Sequence, residues 1–293
     1  SATLCFDFKD FAELPQYTNP SSGYLFNTNH SPFFATDPRD NLDADHYDPN
    51  DGFERYHNNR SKRFTELMDG VDVIDYHTFK RIKFDRQLPQ QLQFIYHIDT
   101  MLRLKADEYP QLKDVILTFQ QWDRKADINS QGASIFLLIY HHVAEKLRGT
   151  PARQLTMEES VEAYQYAYDH MMKYFGKTGI TLGEIQKLVR GDDVRPAWGL
   201  PDVLSTAYTK PFIDGQRQVI SGDAYICLVR YPKNGLPIIE TVNTFGASSH
   251  PDSKHYKDQM SMFQNQQLKR MTLDKKEILQ KAEKIYHPGG KKP

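Results

Sequence analysis

The feature that most constrains this chain is a change of apolar rhythm about two-thirds of the way along it. From residue 54 to about residue 189 the apolar side chains recur mostly at helical spacing. From Arg217 onward they sit in short β-rich runs, 217–220, 224–231 and 237–244. Lys233-Asn234-Gly235 stands between the last two runs and reads as a hairpin turn, because Asn-Gly accepts the positive φ that a tight turn demands.

Several helices carry their own start signals. Ser130 precedes a strongly apolar run to Arg148, which reads as a central packing helix. Thr156-Met157-Glu158-Glu159 is a capping box opening a helix to about Phe175, stopped by Gly176. Thr181-Leu182-Gly183-Glu184 is a second, for a shorter helix to Val189. Helices are also predicted over 54–69, 75–85 and 90–105, after Pro110, and amphipathically over 275–286. His141 and His142 are neighbours on the central helix, face different directions, and read as structural.

The first 53 residues are different: strand and loop. Ser1 to Phe8 alternates at Leu4, Phe6 and Phe8. Asn19-Pro20-Ser21-Ser22-Gly23 reads as a turn, and Tyr24-Leu25-Phe26 as a short buried strand. Asn27 and Asn29 follow at spacing two, so on an extended chain both carboxamides project to one side. An amide NH2 aimed into a cleft can stabilise the oxyanion of an acyl-transfer intermediate; it can equally cap a loop. Residues 33–53 hold Asp37, Asp40, Asp43, Asp45, Asp48 and Asp51 among prolines and glycine. That density would suit a structural calcium ion, but the EF-hand offsets are absent, and a solvated acidic loop is the favoured reading.

Net charge is -1 over 293 residues, so nucleic acid is not an expected partner. No apolar run approaches the length of a membrane span, so no membrane partner is expected. Cys5 and Cys227 can pair or both be free, and sequence leaves that open.

Asn19 to Pro32 resembles the Asn-Pro…Gly-Tyr…Asn-x-Asn…Pro segment of the penicillin amidase family of N-terminal-nucleophile acylases. That family includes penicillin, aculeacin and acyl-homoserine lactone acylases. Trp122-Asp123, Arg190-Gly191, Gly222-Asp223 and Ser253-Lys254-His255-Tyr256-Lys257-Asp258-Gln259 resemble later family segments in the family's order. The resemblance implies an α+β fold: the C-terminal part of the β chain of an αββα sandwich, with a large helical lobe over 54–210 and strands with terminal helices over 211–293. It implies hydrolysis of N-acyl amides, no cofactor, and a periplasmic or secreted zymogen. It places Asn29 in the oxyanion hole. It also implies an active-site arginine shortly afterwards, Arg55 first and Arg60 second. The nucleophilic serine would lie in preceding α and β segments of one precursor, with this chain inactive alone; Ser1 as nucleophile is the lesser option. In this chemistry an α-amine is the base, so Asp252, His255, Asp258 and Gln259 read as a hydrogen-bonded scaffold rather than a triad. The rival from another class is a non-catalytic ligand-binding module.

Overall fold

The computed structural model describes residues 9–92, 96–150, 153–287 and 289. The strand expected over the first eight residues, Ser1, and any Cys5–Cys227 pairing lie outside the described residues. The helices are α1 (Asn59–Met68), α2 (Tyr76–Lys83), α3 (Asp99–Leu102), α4 (Lys113–Gln120), α5 (Gln131–Lys146), α6 (Met157–Phe175), α7 (Leu182–Ile185), α8 (Met260–Gln264) and α9 (Lys275–Lys281). The strands are β1 (Tyr96–His97), β2 (Arg153–Gln154), β3 (Gln186–Arg190), β4 (Asp193–Pro196), β5 (Ala207–Pro211), β6 (Arg217–Gly222), β7 (Tyr225–Arg230), β8 (Ile238–Asn243) and β9 (Lys269–Met271). The fold is α+β, as expected.

The helical core forms around α5. Ser130 caps it by accepting a hydrogen bond from the amide of Ala133 at 3.1 Å, and the buried run Ile135 to Ile139 leaves no polar face there. Helix α6 packs on it through Ser160, Ala163, Tyr164, Ala167 and Met171, a stripe at helical spacing. Tyr164 is wholly buried and donates its hydroxyl to the Met101 carbonyl at 3.2 Å. Both Thr156 and Glu159 complete the capping box, and Gly176 closes the helix with φ 69°.

The second core lies where two sheets meet. One has strand order β4-β3-β6-β5 and the other β7-β8-β9. Leu188, Ile226, Leu228 and Val242 from their strands close on Trp198, Met260 and Phe263. Trp198 stacks on Phe263 at 4.8 Å and donates its indole N–H to the Gln264 carbonyl. The predicted hairpin is present: β7 pairs antiparallel with β8, and Gly235 in the connection has φ 99°.

Several expectations are corrected. Among the described residues of 90–105, residues 90–92 and 96–97 are not helical. Helix α3 is a single turn, and residues 96–97 pair in parallel with Arg153 and Gln154 instead. The helix expected to reach Val189 stops at Ile185, because Gln186 to Arg190 is claimed by pairing with both β4 and β6. Consequently β3, β4 and β5 fall inside the stretch read as a helical lobe. Helix α1 begins at Asn59 rather than at 54, where Asn58 caps it. Helix α9 ends at Lys281, and its Ile278 and Leu279 are exposed rather than packed. Tyr24 to Phe26 is not a strand. Among the described residues it has one main-chain bond, Phe26 N to Ala35 O at 2.9 Å, and Leu25 is 53% exposed. Tyr24 and Phe26 lean on Phe64 of α1, so aromatic stacking replaces a β ladder.

Candidate active site

The Asn19–Gly23 turn closes with the Gly23 amide on the Pro20 carbonyl at 3.0 Å, and Gly23 takes φ 76°. It is pinned from outside by Asp40, whose carboxylate accepts from the Ser21 hydroxyl at 2.7 Å and the Ser22 amide at 2.6 Å. Phe26 then lies between Phe64, at 4.0 Å, and the His30 ring, at 4.8 Å. His30 is buried. Its Nε2–H suits the Phe34 carbonyl at 2.8 Å, leaving Nδ1 to accept from the Thr28 amide at 3.1 Å. Burial holds the imidazole below its usual pKa, which keeps that neutral tautomer.

The two carboxamides do not share a face. Asn29 takes φ 56°, and its amide donates to Asn27 Oδ1 at 2.8 Å. Asn27 therefore closes a side-chain turn, and the chain is bent where an extended strand was expected. Asn29 is exposed.

The head of α1 holds this bend. Asn58 Oδ1 accepts from the Ser61 amide at 2.8 Å as the helix cap. Its Nδ2 donates to the carbonyls of Thr28 and Asn29, each at 3.0 Å. Arg60 Nη1 and Nη2 both donate to Asn29 Oδ1, at 3.2 and 3.1 Å. An arginine has donors only, so the fork fixes which end of the carboxamide faces it. The Asn29 NH2 group is left turned away from Arg60. The site thus combines an oriented amide donor, a guanidinium and a helix N-terminus, all favouring negative charge.

Arg55 is placed elsewhere. Its guanidinium donates to the Tyr47 carbonyl, approaches Asp45 at 3.6 Å and lies over the Phe33 ring. Of the two candidate arginines, Arg60 is the one brought to Asn29. Sequence reasoning missed Asn58, although an asparagine just ahead of a helix is a recognisable cap signal. It also missed Arg63, which forks onto Asp85 at 2.9 Å through both Nε and Nη2 and ties α1 to the end of α2.

A cleft of about 740 Å³ lies along a different face of α1, against Tyr24, His57, Lys62, Thr65 and Glu66. Neither Asn29 nor Arg60 lines it. In the acidic loop, Asp37 pairs with Arg39, Asp51 with Lys9, and Asp43 and Asp48 cap short 3-10 turns. Among the described residues no three His, Cys, Asp or Glu side chains gather as a metal site.

The late segment is a scaffold in three of its four residues. His255 Nδ1 meets Asp258 Oδ2 at 2.8 Å. Gln259 is buried; its Oε1 accepts from the Asn243 amide and its amide donates to Phe245 O. Asp252 is exposed. Gly246 must be glycine here, since a Cβ would come within 2.1 Å of the His255 carbonyl oxygen. Arg190 of the Arg-Gly-Asp sequence lies over Tyr256 at 4.3 Å and donates to Ser248 O, so the β3–β4 turn is docked rather than presented.

A model of the penicillin amidase family matches residues 4–280. The chain belongs to the penicillin amidase family. Among its curated relatives, the acyl-homoserine lactone acylase PvdQ of Pseudomonas fluorescens is 33% identical over 88 residues, which is 29% of this chain and 11% of that protein. PvdQ of Pseudomonas syringae pv. syringae is 26% identical over 203 residues, covering 62% of this chain and 26% of that protein. The solved thermostable penicillin G acylase from Alcaligenes faecalis is similar over 95% of this chain and 59% of its own, with TM-score 0.51 and 15% identity. That likeness carries the fold. The chain spans between 11% and 26% of the length of the curated relatives it matches.

Proposed function

We propose that this chain carries the oxyanion-binding part of a hydrolase that cleaves N-acyl amides, of the type its penicillin G and acyl-homoserine lactone relatives are named for. The carrying observation is the Arg60 fork on Asn29 Oδ1, which points the Asn29 NH2 outward as a fixed donor. In this reading a serine with a free α-amine, contributed by other segments of a longer precursor, attacks the amide carbonyl. The carbonyl oxygen gains negative charge and accepts a hydrogen bond from Asn29 Nδ2. The amine leaves with a proton, and water releases the carboxylic acid. The two sheets and flanking helices belong to an αββα sandwich completed by those segments. The setting is periplasmic or secreted, with activation from a zymogen.

The test is hydrolysis of an acyl-homoserine lactone and of penicillin G by the mature enzyme carrying this chain. Asn29→Ala is expected to lower kcat by about 100- to 1,000-fold, the usual effect of removing one oxyanion donor. Wild-type turnover in that variant refutes the role given to Asn29. The cleft away from Asn29 favours one second reading, a binding module without catalysis. In that case ligand binding would respond to Lys62→Ala and not to Asn29→Ala.

A further inference from the structure

Asn59 and Arg60 are consecutive on α1 and serve different partners. Arg60 holds Asn29. Asn59 is buried and donates its Nδ2 to Asp202 Oδ2 at 3.3 Å. Asp202 lies on the loop between β4 and β5, just after the buried Leu200 and Pro201, and takes φ 68°. A left-handed aspartate between buried neighbours is a conformation that the surrounding structure must enforce. Its carboxyl is hydrogen-bonded by Asn59 of α1 and Tyr208 of β5 and lies within electrostatic reach of Arg60 of α1 and Tyr140 of α5. Burial pushes it above the usual carboxylate range, while Asn59, Arg60 and Tyr208 oppose that rise. Burial and the Asp202 charge raise both tyrosines, so neither ionises where the carboxyl does.

We infer that Asp202 is a positioning residue: by holding Asn59 and setting the charge opposite Arg60, it fixes the tilt of the Arg60 fork and so the aim of the Asn29 amide. This rests on the reading of Asn29 as an oxyanion donor. Asp202 touches neither substrate nor reacting atoms and acts through α1.

The experiment compares wild type, Asp202→Asn, Asp202→Glu and Asn29→Ala in the mature enzyme. Asp202→Asn keeps the size and a hydrogen-bond acceptor for Asn59 but removes the charge. Its kcat is expected to fall about 10- to 100-fold with little change in KM, the usual effect of losing a group that orients a working residue. Wild-type kcat should decline on the acid side as the Asp202 carboxyl protonates, and Asp202→Asn should lack that limb. Asp202→Glu should recover part of the rate. Because a desolvated charge is removed, the unfolding midpoint of Asp202→Asn should stay or rise, whereas a purely structural role lowers it. A separate readout needs no turnover: the Arg60 Nε–Hε NMR signal should shift in Asp202→Asn. An unmoved signal, an unchanged acid limb, or a rate loss that merely follows unfolding overturns the proposal. Full activity in Asn29→Ala with a shifted Arg60 signal would instead sink the oxyanion reading and leave the Asp202–Arg60 coupling standing.

Discussion

His141 makes the folded state acid-sensitive, and the size of the effect can be worked out. It sits on α5 with Nε2 at 2.9 Å from the Thr209 hydroxyl. That same oxygen accepts from Arg217 Nε at 2.9 Å. The hydroxyl proton is therefore free to go to His141, which receives it at Nε2 and carries its own proton on Nδ1. A second proton on the imidazole would have to displace this bond, beside the buried Arg217 cation. Burial first, and Arg217 second, hold the group down from 6.5 to about 4. The unfolded chain takes up this proton below about pH 6.5 and the folded chain only near pH 4. Stability is thus lost as pH falls through that window and levels off beneath it. The loss is about 2 kcal/mol between roughly pH 7 and pH 5, and approaches about 3 kcal/mol below that. Urea unfolding of wild type and His141→Gln at the two pH values measures it. Glutamine can still accept from Thr209 but does not titrate. Its pH dependence should be smaller than wild type by about 2 kcal/mol. Burial also lowers His30, His57, His142 and His170, so a residual acid sensitivity should persist in the variant. An identical slope in both proteins, or a His141 NMR titration near the ordinary imidazole value, refutes the argument.

Two substitutions test how the helices are held. Gly132→Ala would place a Cβ 2.3 Å from both Cβ and Cγ of Trp122 inside a fixed helix, and should cost at least about 1–3 kcal/mol by calorimetry. Arg63→Ala leaves the Asp85 carboxylate without its fork and should cost about 2–3 kcal/mol in denaturant unfolding, below the full penalty for a buried pair because both partners retain some exposure.

The parts of the fold that were legible in the sequence are those whose signals are local. Ser130, Thr156 with Glu159, and Gly176 are cap residues whose bonds close within one helical turn. The Asn234-Gly235 turn likewise acts on its immediate neighbours. What was not legible depends on distant partners. Gln186 to Arg190 has the residues of a helix end but is drawn into a sheet by β4 and by β6, some 30 residues away. Buried Gln186 adds to this: its Nε2 donates to the carbonyls of Ala197, Trp198 and Gly199. Residues 90–105 are apolar at so many positions that periodicity could not separate one long helix from an irregular segment.

The site divides in the same way. Asn29 was singled out by the letters around it, but its aim could not be read there, because alternation holds only on an extended chain and Asn29 is left-handed. Arg55 lies nearer in sequence, yet sequence distance is a poor guide once a chain reverses. What decides between Arg55 and Arg60 is where α1 starts. Asn58 as cap makes Arg60 the second residue of the helix, on the turn whose free amides already favour negative charge. Three consecutive side chains at that helix start then reach two separate stretches of the chain: Asn58 to the Thr28 and Asn29 carbonyls, Arg60 to the Asn29 carboxamide, and Asn59 to the Asp202 carboxylate. A helix start built this way cannot shift by one residue without exchanging all three partners. The orientation of Asn29 is therefore tied to the register of α1 rather than to the loop that carries it.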